Sequence, residues 1–157
     1  MIVKRFNYFS FDMIYLWINI GVLPFWITLL FFPRSNIFKI FTASIFPIIV
    51  FTLIYSYVAY LVYIDAYDFL KNFKLYLGID ELLKLFSEKN FLILFWVHFF
   101  SINLFCGAWI VKDAQKFGVS NILLFFPLTI TYFIGPIGLF IYWVSRMFYA
   151  NEINLFA

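Results

Sequence analysis

The sequence predicts an all-α integral membrane bundle of four transmembrane helices, with a short amphipathic interfacial helix between spans two and three. Three observations carry that expectation. The 157 residues are 66% hydrophobic and only 12% charged, whereas soluble domains average roughly half apolar and about a quarter charged. Four stretches reach the ~20 apolar residues that cross a hydrocarbon core of about 30 Å. Their runs are also too long and unbroken for barrel strands, which alternate polar and apolar over about ten residues. A helix pairs every backbone amide within itself, as lipid requires.

The first run, Met13 to Pro33, has no charge over 21 residues, and a span is expected at 11–33. Lys4 and Arg5 precede it, but the run is too long for a signal peptide and no small-x-small cleavage site follows, so it is read as a retained anchor. Asp12, Tyr15, Asn19 and Trp26 fall on one of its faces. The second run, Ile40 to Ile64, is uncharged over 25 residues (span 40–64), and Thr52, Ser56, Tyr60 and Tyr63 share a face there. These two faces predict a bundle with a polar, aromatic interior.

After the second span come Asp65 and Asp68. A magnesium site needs more oxygen ligands than two carboxylates supply, so a solvated loop is the reading. Ile79, Leu82, Leu83 and Phe86 then recur at i, i+3, i+4 and i+7, with Asp80, Glu81, Lys84 and Glu88 elsewhere around the helix. One apolar stripe on so short and charged a segment predicts a surface helix at 79–88, which the chain enters through a turn at Gly78. The third run, Phe91 to Val111, is broken only by His98 (span 91–111). The fourth, Phe117 to Ser145, is uncharged over 29 residues (span 119–145). No linker or repeat divides the chain, so 1–157 is read as one domain.

Pro24, Pro47, Pro127 and Pro136 each remove a backbone donor and free the carbonyl four residues earlier, for example that of Ile20 or Tyr132. In lipid such a carbonyl needs a partner from a neighbouring helix, a polar side chain or water. His98 and Asn103 stand in the third span, about 140° apart around the helix, so one helix alone does not join them in a site. An ionisable residue at that depth is a candidate for function. The plainer role for His98 is donation to a carbonyl freed beside Pro24 or Pro136, and for Asn103 an amide bond between helices. Cys106-Gly107-Ala108 lets another helix come close.

The single Cys106 excludes an intramolecular disulfide. With one histidine and no second ligand nearby, no zinc or haem site is expected, and no other cofactor is implied. The net charge of +3 is spread over the loops, and nothing suggests nucleic acid. Four spans place both termini and the central loop on one side, with seven Lys and Arg against four on the other (Arg34, Lys39, Lys112 and Lys116). By the positive-inside rule the termini are expected in the cytoplasm.

The order of motifs resembles the abscisic-acid-deficient-four family of small membrane proteins. The resemblance rests on Asn19 through Pro24 to Trp26 with Pro33-Arg34, and on Leu77-Gly78-Ile79 through Leu85-Phe86. It continues through Trp96-Val97-His98, Asn103-Leu104-Phe105, Gly107-Ala108-Trp109-Ile110 and Asp113, and ends with Phe133 through Gly135-Pro136 and Gly138-Leu139 to Tyr142. It runs from about residue 12 to residue 146. Asn103 stands where the family usually has an aspartate and Ala108 where it usually has an arginine, so both charges are missing together.

The family is named for a plant protein associated with converting the epoxide carotenoid violaxanthin to neoxanthin. The resemblance therefore implies an isoprenoid or carotenoid ligand, a bacterial inner or plastid membrane, and chemistry that opens an epoxide to an allenic alcohol. Such chemistry needs an acid at the ring oxygen and a base for a carbon-bound proton. His98 suits either task, and Asp113 suits a substrate group near the surface. Asn19, Trp26, Trp96, Asn103 and Trp109 are the expected ligand contacts. Two other functions stand beside this one: a non-catalytic subunit or assembly partner of a larger membrane complex, and a carrier of another small molecule. Association with a second copy is a further expectation.

Overall fold

The computed structural model describes residues 10–64, 76 and 78–150; these are almost wholly helical, with no strand among them. The basic start at Lys4 and Arg5, the pair Asp65 and Asp68, Leu77 and the side chain of Tyr63 lie outside the described residues.

Helix α1 spans Phe11–Phe31. Ser10 opens it, accepting from the Met13 N–H at 3.4 Å, and Asp12 lies in the first turn, where a negative charge suits the helix dipole. Pro33 stops it, since it has no N–H to continue the ladder and disfavours helical backbone before it. After a turn closed by Ser35 N–H to the Phe32 carbonyl (3.1 Å), a π-helical turn runs over Phe38–Thr42. Its Thr42 and the Thr28 of α1 are joined hydroxyl to hydroxyl, both buried. Helix α2 then spans Phe46–Ile64. The second predicted span is thus bent near its start rather than regular from residue 40. Pro47 falls in the first turn of α2, where an N–H has no helical partner to lose.

Helix α3 spans Ile79–Ser87, where the stripe predicts it. Gly78 precedes it at φ 155°, a conformation open essentially to glycine alone. Leu82, Leu85 and Phe86 turn inward while Ile79 and Leu83 stay exposed. Helix α4 spans Lys89–Lys116. At 28 residues it extends about 42 Å, past the core of a bilayer, and carries Lys112 and Asp113 beyond the apolar run.

The fourth predicted span forms two helices, α5 (Asn121–Phe133) and α6 (Gly135–Ala150). Ser120 caps α5 by accepting from the Ile122 N–H. Ile134, at φ −142° and ψ 80°, breaks the ladder, and Pro136 takes the first turn of α6. A continuous helix would have needed the N–H that Pro136 lacks and would have driven its ring against the Tyr132 carbonyl. At 13 and 16 residues the two helices measure about 20 and 24 Å, each short of a 30 Å core. Glycine lets α6 fold back on α5. A Cβ at Gly138 would stand 2.1 Å from Thr131 Oγ1 and 2.3 Å from its backbone nitrogen, seven residues back along the chain.

Two compact units divide these helices. The first holds the chain up to Val22 together with Phe51–His98. There Asp12 and Lys89 pair at 2.5 Å and Tyr15 meets Trp96 with ring centroids 6.1 Å apart, so α1 and α4 start side by side. In α2, Phe51 and Val58 are buried while Thr52, Ser56 and Tyr60 are exposed. That polar stripe does not line an interior as expected; the inward side of α2 is the one that carries Phe51 and Val58.

The second unit holds Leu23–Val50 and the chain from Phe99 on. Here Gln115 donates to the Pro33 carbonyl (2.6 Å) and Arg34 to the Val119 carbonyl (2.9 Å), which sets the end of α1 beside the end of α4. Trp26 against Tyr132 and Phe31 against Phe125 show α5 running antiparallel to α1.

Candidate functional site

Gly135, Gly138, Tyr142 and Arg146 are the buried residues of α6, at offsets of 3, 7 and 11, a single stripe facing α4 and α5. The lower half of the stripe must be glycine for the helices to touch. The upper half carries the two long side chains of the stripe, Tyr142 and Arg146, both fully buried. Tyr142 donates its hydroxyl to Asp113 Oδ2 at 2.6 Å, and Arg146 Nε reaches the same oxygen at 2.8 Å. The Arg146 side chain is 0% exposed and that of Asp113 is 9% exposed. The Phe117 ring lies 4.4 Å from the guanidinium carbon, and Trp109 meets the Tyr142 ring edge-on at 5.9 Å.

A carboxylate removed from water is stable only when its charge is compensated and its lone pairs are used. Here the Arg146 guanidinium stands at ion-pair distance as the compensating charge, and the Tyr142 phenol supplies a hydrogen bond to Oδ2. The result is a charged, aromatic-walled centre about three residues from the end of α4.

A second cluster sits at the turn between α5 and α6. Asn103, 3% exposed, donates its amide to the Tyr132 carbonyl at 3.3 Å. That is the carbonyl Pro136 frees, so the partner lipid demands comes from α4. Gly135 makes room, since a Cβ there would lie 2.2 Å from Asn103 Oδ1. Trp26, 2% exposed, packs edge-on against Tyr132 at 5.2 Å, and Gly107 lets its ring come close. The Trp26 indole N–H has no hydrogen-bond partner among the described residues.

Of the residues singled out from sequence, Trp26, Asn103, Trp109 and Asp113 belong to the second unit and Asn19, Trp96 and His98 to the first. Asn19 donates to the Tyr15 carbonyl one turn back (2.7 Å), and Trp96 is half-buried against Tyr15. His98 is exposed on α4 and makes no hydrogen bond among the described residues; the donation beside Pro136 considered for His98 is made instead by Asn103, as the amide bond between helices expected of it. Sequence reasoning missed Arg146, counting it only as a loop cation. The available signal was its place four residues after Tyr142 on the stripe begun by Gly135 and Gly138.

Phe11–Phe31, Phe38–Leu61 and Lys89–Lys116 are long and apolar enough to cross a membrane. Together with the folded-back α5–α6 pair, they define a small helical membrane protein. Residues 13–142, more than four-fifths of the chain, match the ABA DEFICIENT 4-like family, and the chain belongs to it. No curated protein and no solved structure matches.

Proposed function

We propose that this protein binds a carotenoid-type isoprenoid within the membrane and holds an oxygen-bearing end group of it at Asp113, Tyr142 and Arg146. The observation that carries the reading is the pairing of one buried carboxylate with a phenol at 2.6 Å and an arginine at 2.8 Å, in a wall of aromatic rings. Family membership supplies the ligand class. A polyene is apolar along its length and polar at its ends, which suits apolar helices ending in a charged centre. The buried Trp26 indole N–H is a further donor for a ligand oxygen.

The same three residues can carry an isomerisation without a co-reactant. Tyr142 gives its proton to an epoxide oxygen as the carbon–oxygen bond opens, and Asp113 takes the proton lost from carbon. The new carboxylic acid then returns a proton to the phenolate across their hydrogen bond. Arg146 sets a positive charge 2.8 Å from the oxygen of Asp113 that would act as the base. His98 is the alternative acid or base, for a ligand seated against the exposed face of α4.

The test is the pigment chromatogram of a host that accumulates epoxide carotenoids. It compares cells without the protein, with it, with Tyr142→Phe and with His98→Ala, at matched expression. A new peak lost with Tyr142→Phe and kept with His98→Ala is the expected result. Loss with His98→Ala alone moves the chemistry to that residue. Unchanged chromatograms reject isomerisation and favour a non-catalytic subunit. The exposed Thr52, Ser56 and Tyr60 stripe, a polar helix face suited to a protein neighbour, supports that second reading.

A further inference from the structure

We infer that residues 121–150 form a re-entrant hairpin that dips to the bilayer centre and returns. The Asp113–Tyr142–Arg146 centre then lies in the leaflet opposite the start of the chain, and the described chain begins and ends on opposite sides. This placement does not depend on what the centre binds.

The register along α4 carries the inference. Residue by residue, α6 climbs the last part of α4: Gly135 at Asn103, Tyr142 at Trp109 and Asp113, and Arg146 at Asp113 and Phe117. The other arm descends it, since Val119 bonds back to Ala114 just before α5 begins, and the Tyr132 carbonyl near its end accepts from Asn103. Both arms therefore cover one stretch, from about residue 103 of α4 to Phe117 just past its end, which is about 21 Å long. The uncharged part of α4 centres near residue 101, so the turn at Ile134 reaches about mid-bilayer and no farther. Non-helical backbone at that depth is tolerated only when protein covers its polar groups, and Asn103 covers the Tyr132 carbonyl. Asp113 stands about 18 Å along α4 from that midpoint, near the edge of the hydrocarbon core rather than within it.

Three crossings by α1, α2 and α4 then bring the chain to the far side, where the hairpin leaves it. The ion pair Asp12–Lys89 agrees, setting the starts of α1 and α4 together. So do the bonds from Gln115 to Pro33 and from Arg34 to Val119 at their ends. Arg146 now counts with Arg34, Lys39, Lys112 and Lys116, so the Lys and Arg excess of seven against four becomes six against five. Orientation is then set by something other than that count.

The experiment places single cysteines in the full chain carrying Cys106→Ala and labels intact, oriented cells with a membrane-impermeant maleimide. Ser10→Cys and Asn36→Cys report the two sides; Ser120→Cys and Ala150→Cys report the hairpin ends, and Ile134→Cys its tip. The expected result is that Ser120→Cys and Ala150→Cys label with Asn36→Cys and opposite to Ser10→Cys, while Ile134→Cys resists reagent from both sides. Labelling of Ala150→Cys with Ser10→Cys, or of Ile134→Cys from the Ser10 side, means a fourth crossing and overturns the inference. A reporter fused after residue 157, active on one side only, gives the same decision without altering the hairpin.

Discussion

Each end of α4 carries an acid–base pair, and the two are built on opposite terms. At its start Lys89 meets Asp12 with side chains 58% and 78% exposed; near its end Arg146 meets Asp113 with 0% and 9% exposed. The exposed pair is solvated on both sides and can break into water at little cost. The buried pair cannot, because neither charge has water to return to. Its neighbourhood is closely packed: Tyr142 and Arg146 share one acceptor oxygen, and the Phe117 and Trp109 rings stand against them. The difference separates a surface attachment from a centre around which the second unit is assembled.

Arg146→Met should have the largest effect. It removes the arginine and leaves the Asp113 carboxylate buried, at a cost of about 3–5 kcal/mol. Thermal unfolding in detergent, followed by loss of monodisperse protein on size exclusion, measures it. The double variant Asp113→Leu with Arg146→Met should recover more than half of the loss, since an apolar pair of similar volume leaves no charge to compensate. A double variant as unstable as the single one would mean that shape, not charge, governs the site.

Glycine sharpens the comparison next. Gly138→Ala sets a methyl group 2.3 Å from the Thr131 backbone nitrogen, which cannot swing aside, and should cost about 1–3 kcal/mol or more. Gly21→Ala in α1 has nothing within 4 Å of the added carbon and should be neutral or stabilising by about 0.5–1 kcal/mol. Equal effects would show that the α5–α6 contact is loose.

Asn103→Leu tests the turn between them. Leaving the Tyr132 carbonyl without its donor should cost about 1 kcal/mol, near the value of an interhelical bond in a membrane protein. Gly135→Ala should cost more in the native background than beside Asn103→Ala, because the methyl clashes with the amide side chain. Additive losses would show that Asn103 does not fill the space at Gly135.

Much of this was legible in the sequence, and the misses have physical causes. Charge-free runs located α1, α2 and α4 to within about six residues at each end because lipid leaves few alternatives to a helix. Pro136 signalled a freed carbonyl at Tyr132, but its partner is Asn103 rather than the His98 considered for that role. Length alone misled over Phe117 to Ser145. Twenty-nine uncharged residues fit one long helix as well as two short ones, and Gly135-Pro136 with Gly138 distinguishes them only once folding back is considered. The α2 stripe misled for the opposite reason. Periodicity shows that Thr52, Ser56 and Tyr60 share a face but not which way it turns, and packing of Phe51 and Val58 turned it outward. Arg146 escaped notice because a cation after an apolar run reads as a loop residue until the stripe through Tyr142 is followed to its end.

The smallest effect belongs to the exposed pair. Lys89→Ala should change stability by about 0–1 kcal/mol, since an ion pair in water gains little Coulomb energy and gives up side-chain freedom to form. What separates it from Arg146→Met is salt more than size. Raising ionic strength to 1 M shortens the screening length to about 3 Å, so any Lys89 effect seen in dilute buffer should vanish there. The Arg146 effect should persist, because ions do not enter the site that buries Asp113. Unfolding of both variants at low and high salt reads this directly. A Lys89 loss that survives 1 M salt would mean its methylene stem, packed at the start of α4, matters more than its charge.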